Sequence, residues 1–216
     1  MSSLEKVSRR QSILSHAFLW LACVVALFPV SRIITISLRP GNRLLSSDMS
    51  LIPSDASLAS YVKIITEKPF LQWLYNSLLI PVSTSLIGVC LAASAAYAFA
   101  RYKFPGRKSG LLFLMTTQMI PGAMLLLPIY LVLTKIGLNN TYTGLVVAYS
   151  VTTLPFSIWI LKGYFDTVPK SLEEAARIDG CTEFGAFYRI LLPLSKPSLA
   201  IVFLFNFTQA WNEYLV

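Results

Sequence analysis

Four carboxylates crowd into one short stretch of this chain: Glu173, Glu174, Asp179 and Glu183. Paired carboxylates can divide the work of a general acid and a general base. Their neighbours offer no partner for that work. The single histidine, His16, lies far away beside the first apolar run. Cys23, Cys90 and Cys181 lack paired spacing and nearby histidines, so they read as small apolar packers rather than metal or redox groups. No H-E-x-x-H, G-x-S-x-G or G-x-x-x-x-G-K-[ST] pattern occurs. No catalytic, metal-binding or cofactor-binding residue is therefore assigned, and the chain is not expected to bind ATP. Acidic residues at helix ends in water commonly act as caps and dipole partners.

The stretch that carries these carboxylates, 166–197, is the longest polar interruption of the second half. Ser171 followed by Glu174 reads as a capping box at a helix start just after Pro169. Leu172, Ala175 and Ala176 give that helix a small apolar face. Gly180 suits the left-handed turn that stops it. A second helical turn begins near Thr182, with Phe184, Phe187, Tyr188 and Leu191 on one side, and Pro193 and Pro197 end it. The expected product is helix, glycine turn, helix: a knuckle projecting into water.

The elements that must position this knuckle are membrane spans. The chain has 216 residues, 55% hydrophobic and 13% charged, against about 25% charged in a soluble domain. Apolar runs fall at about 17–38, 73–100, 111–133, 142–161 and 199–216, each long enough for one crossing. An all-α polytopic bundle is the expected fold, with 1–16 as an amino-terminal segment. The first run is read as a retained anchor, since it is long for a signal peptide and no A-x-A site follows. The segment 39–71 should be a loop with at most a surface helix. Within the second span Gly88, Ala92, Ala96 and Ala100 recur every four residues, a face on which helix backbones can approach closely. Pro29, Pro81, Pro121, Pro128 and Pro155 lie in or near spans, as in transporters with kinked helices.

The formal charge of +8 is distributed by loop, which argues against a nucleic-acid partner. Twelve Lys and Arg fall in the amino-terminal segment, the turn after the second span and the knuckle. Five fall in the alternate loops. The positive-inside rule then places the amino terminus and the knuckle in the cytoplasm, with lipid around the spans.

No carboxylate lies in the first four spans, which counts against a proton- or sodium-coupled carrier. Asn76, Gln118, Tyr130, Asn206 and Gln209 are polar or aromatic groups in or near spans. Sugars need such groups in a cavity, and interhelical hydrogen bonding is the equal alternative for each. Two other classes stay open: a secondary carrier or channel, and a membrane scaffold subunit that passes nothing.

One spacing is more specific. Glu174-Ala175-Ala176, three residues, Gly180, nine residues, Ile190, one residue and Leu192-Pro193 resembles the EAA motif of ABC-importer permeases. Tyr97 to Gly106, Leu154-Pro155-Phe156, Pro193-Leu194 and Trp211-Asn212-Glu213-Tyr214 extend the resemblance to the MalG-type permeases of binding-protein-dependent, maltose-family sugar importers. It implies that the knuckle couples to an ATPase through Glu174, Ala175, Ala176, Asp179, Gly180, Ile190, Leu192 and Pro193. It also implies several partners: an ATPase dimer carrying ATP and Mg, a MalF-type second permease and an extracytoplasmic solute-binding protein. The implied location is the bacterial inner membrane. That family has six spans and a cytoplasmic carboxyl terminus. Five are read here, so the resemblance implies that the last span is lacking.

Overall fold

The computed structural model describes residues 8–40, 50, 53 and 55–213, and the described residues form helices and connections without strands. Two compact units divide between Trp73 and Leu74.

The first unit holds α1 (Arg9–Ser37) and α2 (Ala59–Glu67). Helix α1 starts well before the apolar run, because Ser8 and Gln11 form a reciprocal capping box. Ser8 Oγ accepts from the Gln11 amide at 3.2 Å, and Gln11 Oε1 accepts from the Ser8 amide at 3.0 Å. Its 29 residues span about 43 Å, more than the ~30 Å hydrocarbon core of a bilayer. The helix is apolar around its circumference, as suits a membrane span. Helix α2 is the expected surface helix, and Tyr61 hydrogen-bonds Ser37 at 2.6 Å.

The second unit contains most of α3 (Phe70–Arg101), followed by α4 (Arg107–Thr117), α5 (Gly122–Lys135), α6 (Tyr142–Thr167), α7 (Lys170–Ile178), α8 (Glu183–Leu194) and α9 (Lys196–Asn212). Helices α1, α3 and α6 are long and apolar enough to cross a membrane. The count becomes five if the bent pairs α4–α5 and α8–α9 each form one span. The expected single span at 111–133 is instead two helices meeting at 104°. Pro121 lacks an amide hydrogen and disfavours helical backbone at Ile120, and Gly122 behind it adds a weak helix former. The other four span prolines stay inside helices. The fifth run also departs from its expected bounds. Helix α9 begins at Lys196, with Pro197 in its first turn where a missing N–H costs nothing, and it ends at Asn212. Residues 214–216 of that run lie outside the described residues.

Small residues organise the interior. Thr84, Gly88, Ala92, Ala96 and Ala100, each one turn after the last, are all buried on α3. Against this stripe pack Ile158, Leu161 and Phe165 of α6, Phe187 and Leu191 of α8, and Val202 of α9. In lipid no hydrophobic force draws helices together, so close dispersion contact along such a stripe supplies much of the association. At Gly88 a Cβ would come within 2.8 Å of Asn206 Nδ2. All three cysteines are free, and Cys23 and Cys90 lie on exposed faces rather than in this interior.

Candidate functional site: a helical turn at one end of the bundle

Helices α3 and α6 end, and α9 begins, at the same end of the second unit. There α7 and α8 form the knuckle. Helix α7 stops in a Schellman turn: the Cys181 amide donates to Ala176 O at 2.9 Å and the Gly180 amide to Arg177 O at 3.1 Å. Gly180 takes φ +90°, a left-handed conformation that costs a residue with a Cβ. Thr182 then caps α8, its Oγ1 accepting from the Gly185 amide at 3.0 Å.

Four local expectations are corrected. Helix α7 begins at Lys170 with Pro169 at its cap position and no side-chain cap. Ser171 is therefore already inside the first turn, and the Ser171–Glu174 box does not form. On α7 the buried residues are Glu173 and Ala176, while Leu172 and Ala175 are exposed. On α8 the aromatic side divides: Phe187 and Leu191 are buried, Phe184 and Tyr188 exposed. Pro193 does not end that helix. A π-turn at Phe187–Leu191, closed by the Leu192 amide on Phe187 O, precedes it.

The electrostatic centre of the site is a pair that sequence reasoning missed. Arg101 Nε donates to Glu173 Oε1 at 2.6 Å, and both side chains are only 8% exposed. Arg101 Nη1 donates to Phe165 O at 2.9 Å and Nη2 to Val168 O at 3.2 Å. Those carbonyls belong to the last turn and cap of α6, a negative helix end. Beside this pair, the Tyr102 hydroxyl donates to Glu183 Oε2 at 2.7 Å. That bond, then desolvation and the nearby negative charge, raises the Tyr102 pKa above its ordinary value. Arg177 lies 3.6 Å from Glu183. Among the described residues no group of histidines, cysteines or acids is arranged to hold a metal.

Of the residues marked by the EAA-like spacing, Glu174, Ala175, Asp179, Gly180 and Pro193 are exposed, Ile190 and Leu192 half-buried, and Ala176 buried. Ile178, at 87% exposure, stands out as the most water-facing apolar residue of the turn.

The five pathway candidates divide. Gln118 and Gln209 line one cleft of about 540 Å³ between the α4–α5 break, α6 and α9, with Thr152, Phe205 and Glu213. Gln118 Nε2 donates to Thr152 O at 3.1 Å. Asn76 instead accepts from Tyr142 OH at 3.0 Å and lines a smaller hollow. Tyr130 faces a separate groove beside the α5–α6 connection. Asn206 is fully buried between helices, with Oδ1 2.8 Å from Ser157 Oγ.

Residues 88–216 match the family model for the binding-protein-dependent transport system inner membrane component. The chain is 38% identical to the maltose/maltodextrin transport system permease protein MalG of Yersinia pestis, over 99% of this chain and 76% of that one. It is 37% identical to the protein of the same description in Vibrio vulnificus, over 92% of this chain and 72% of that one. A crystal structure of a bacterial ABC transporter involved in the import of alginate shares the fold. The TM-score is 0.82, with 24% identity over 99% of this chain and 75% of that chain. The chain belongs to the family of binding-protein-dependent transport system inner membrane components, as a multi-pass permease subunit.

Proposed function

We propose that this chain forms half of the translocation pathway of an ATP-driven carbohydrate importer. A separate ATPase dimer, holding ATP and Mg, grips the α7–α8 turn. A MalF-type second permease completes the pathway, and an extracytoplasmic solute-binding protein delivers the solute. The amino terminus and the turn lie in the cytoplasm, as the asymmetry of Lys and Arg supports. The observation that carries this reading is the turn itself. It is held from beneath by a buried ion pair and offers Glu174, Ile178 and Asp179 outward. Glu174 supplies a charge contact in the ATPase cleft, and Ile178 an apolar anchor. The carbohydrate class is supported by the names of the relatives and by the Gln118–Gln209 cleft. That cleft offers amides, a hydroxyl, a carboxylate and a ring in a volume suited to a small ligand.

The test is ATP-dependent uptake by the reconstituted complex carrying Gly180→Asp, with Gly180→Asn as control. Asn tolerates the left-handed backbone about as well, so the Asp variant isolates an added negative charge at the docking turn. The expected result is normal insertion in both, retained uptake for Asn, and uptake reduced about tenfold with continuing hydrolysis for Asp. Normal uptake by the Asp variant would remove the docking assignment. Uptake by the wild type without ATP would favour a carrier.

A further inference from the structure

An ATPase that moves α7 transports nothing unless the movement reaches the spans. Helix α7 is short and is joined to α6 by only Val168 and Pro169. It joins α8 through residues 179–182, of which Gly180 is left-handed. Neither connection ties α7 to the end of α3. Arg101 supplies what they lack. Its guanidinium uses three nitrogens in three directions: Glu173 of α7, and the Phe165 and Val168 carbonyls at the end of α6. Arg101 is itself the last residue of α3 and directly follows the buried stripe. One side chain thus gathers three helix ends, with the negative end of α6 and a carboxylate around one cation. A lysine has no planar fork and could not hold this set together.

Resting on the coupling role proposed above, we propose that Arg101 is a positioning residue for coupling. It clamps α7 to the joined ends of α3 and α6, so that these elements move as one body when the turn is displaced. Glu173 is its counterpart on α7. Glu174, one residue on, faces outward, so the adjacent acids divide into an inner one that fastens and an outer one that docks.

The experiment uses the full complex in lipid nanodiscs, with Glu173→Gln, Arg101→Lys and the paired replacement Arg101→Met with Glu173→Leu. The pair leaves no lone buried charge, so it guards against simple misfolding. Two readouts are taken on the same samples. The first is solute moved per ATP hydrolysed, expected to fall about tenfold in each variant while hydrolysis and assembly persist. The second is the distance distribution between spin labels at Ser171→Cys on α7 and Trp159→Cys on α6, both exposed, with Cys23, Cys90 and Cys181 replaced. The wild type should keep one narrow distribution with and without ATP, and the variants should broaden it. A narrow distribution in all three variants, or an unchanged ratio of transport to hydrolysis, would overturn the clamp. If the wild type shows no ATP-dependent uptake, the importer reading fails, and the label distances alone decide whether Arg101 fastens α7.

Discussion

The two ends of the α3–α6–α9 bundle are fastened in different ways. At the knuckle end, a buried cation binds a carboxylate and two carbonyls. At the opposite end, where α3 and α6 begin and α9 finishes, the helices meet through a neutral hydrogen bond between Tyr142 and Asn76. Beside that contact the surface opens into a hollow at Asn76 and a groove at Tyr142. A charge-assisted contact sheltered from water is stiff and directional. A neutral, exposed one exchanges readily with water, at a net value of about 1 kcal/mol. Under the proposed function, the first would suit the end that docks the ATPase, and the second the end that admits a solute.

The glycines make the same comparison testable. A Cβ on Gly144, at the Tyr142 end, would lie 2.1 Å from the Leu138 carbonyl oxygen. That oxygen is backbone and already accepts from Thr141 Oγ1 at 2.8 Å, so it has little room to yield. Gly144→Ala should therefore cost the most, about 3 kcal/mol, read as a lowered unfolding temperature of the purified complex. Gly180→Ala meets no described atom within 4 Å and pays only for its backbone, about 1–2 kcal/mol. Equal losses for the two would mean that space, as opposed to conformation, does not separate the ends. Tyr142→Phe should cost least, about 0.5–1 kcal/mol. A loss as large as that of Gly144→Ala would show that the open end is also rigidly tied.

The sequence made some of this legible and hid the rest for definite reasons. The four-residue recurrence on α3 could be read because small residues at one helical period have few other uses. Gly180 could be read because its neighbours left no other stop for α7. Glu173 could not be separated from Glu174. Adjacent helical residues point about 100° apart, and which one turns inward depends on Arg101, which is distant in sequence. Only Pro121 of the five span prolines breaks its helix, and the following glycine was the available signal. The Ser171–Glu174 box failed because Pro169 already starts the helix. The resemblance to importer permeases marked the turn, but not how the turn is fastened.

The π-turn at Phe187–Leu191 acts as a phase adjuster. Its wide turn holds one more residue than an α-helical turn, so the two halves of α8 are offset by about 100° from where uninterrupted winding would put them. The angular setting of the glycine turn relative to the spans is therefore encoded in chain length, independently of any side chain. Removing one residue there could restore ordinary winding with every contact residue still present. It would swing Glu174 and Ile178 around the helix axis, to an azimuth at which a partner shaped for the present setting would find the wrong face.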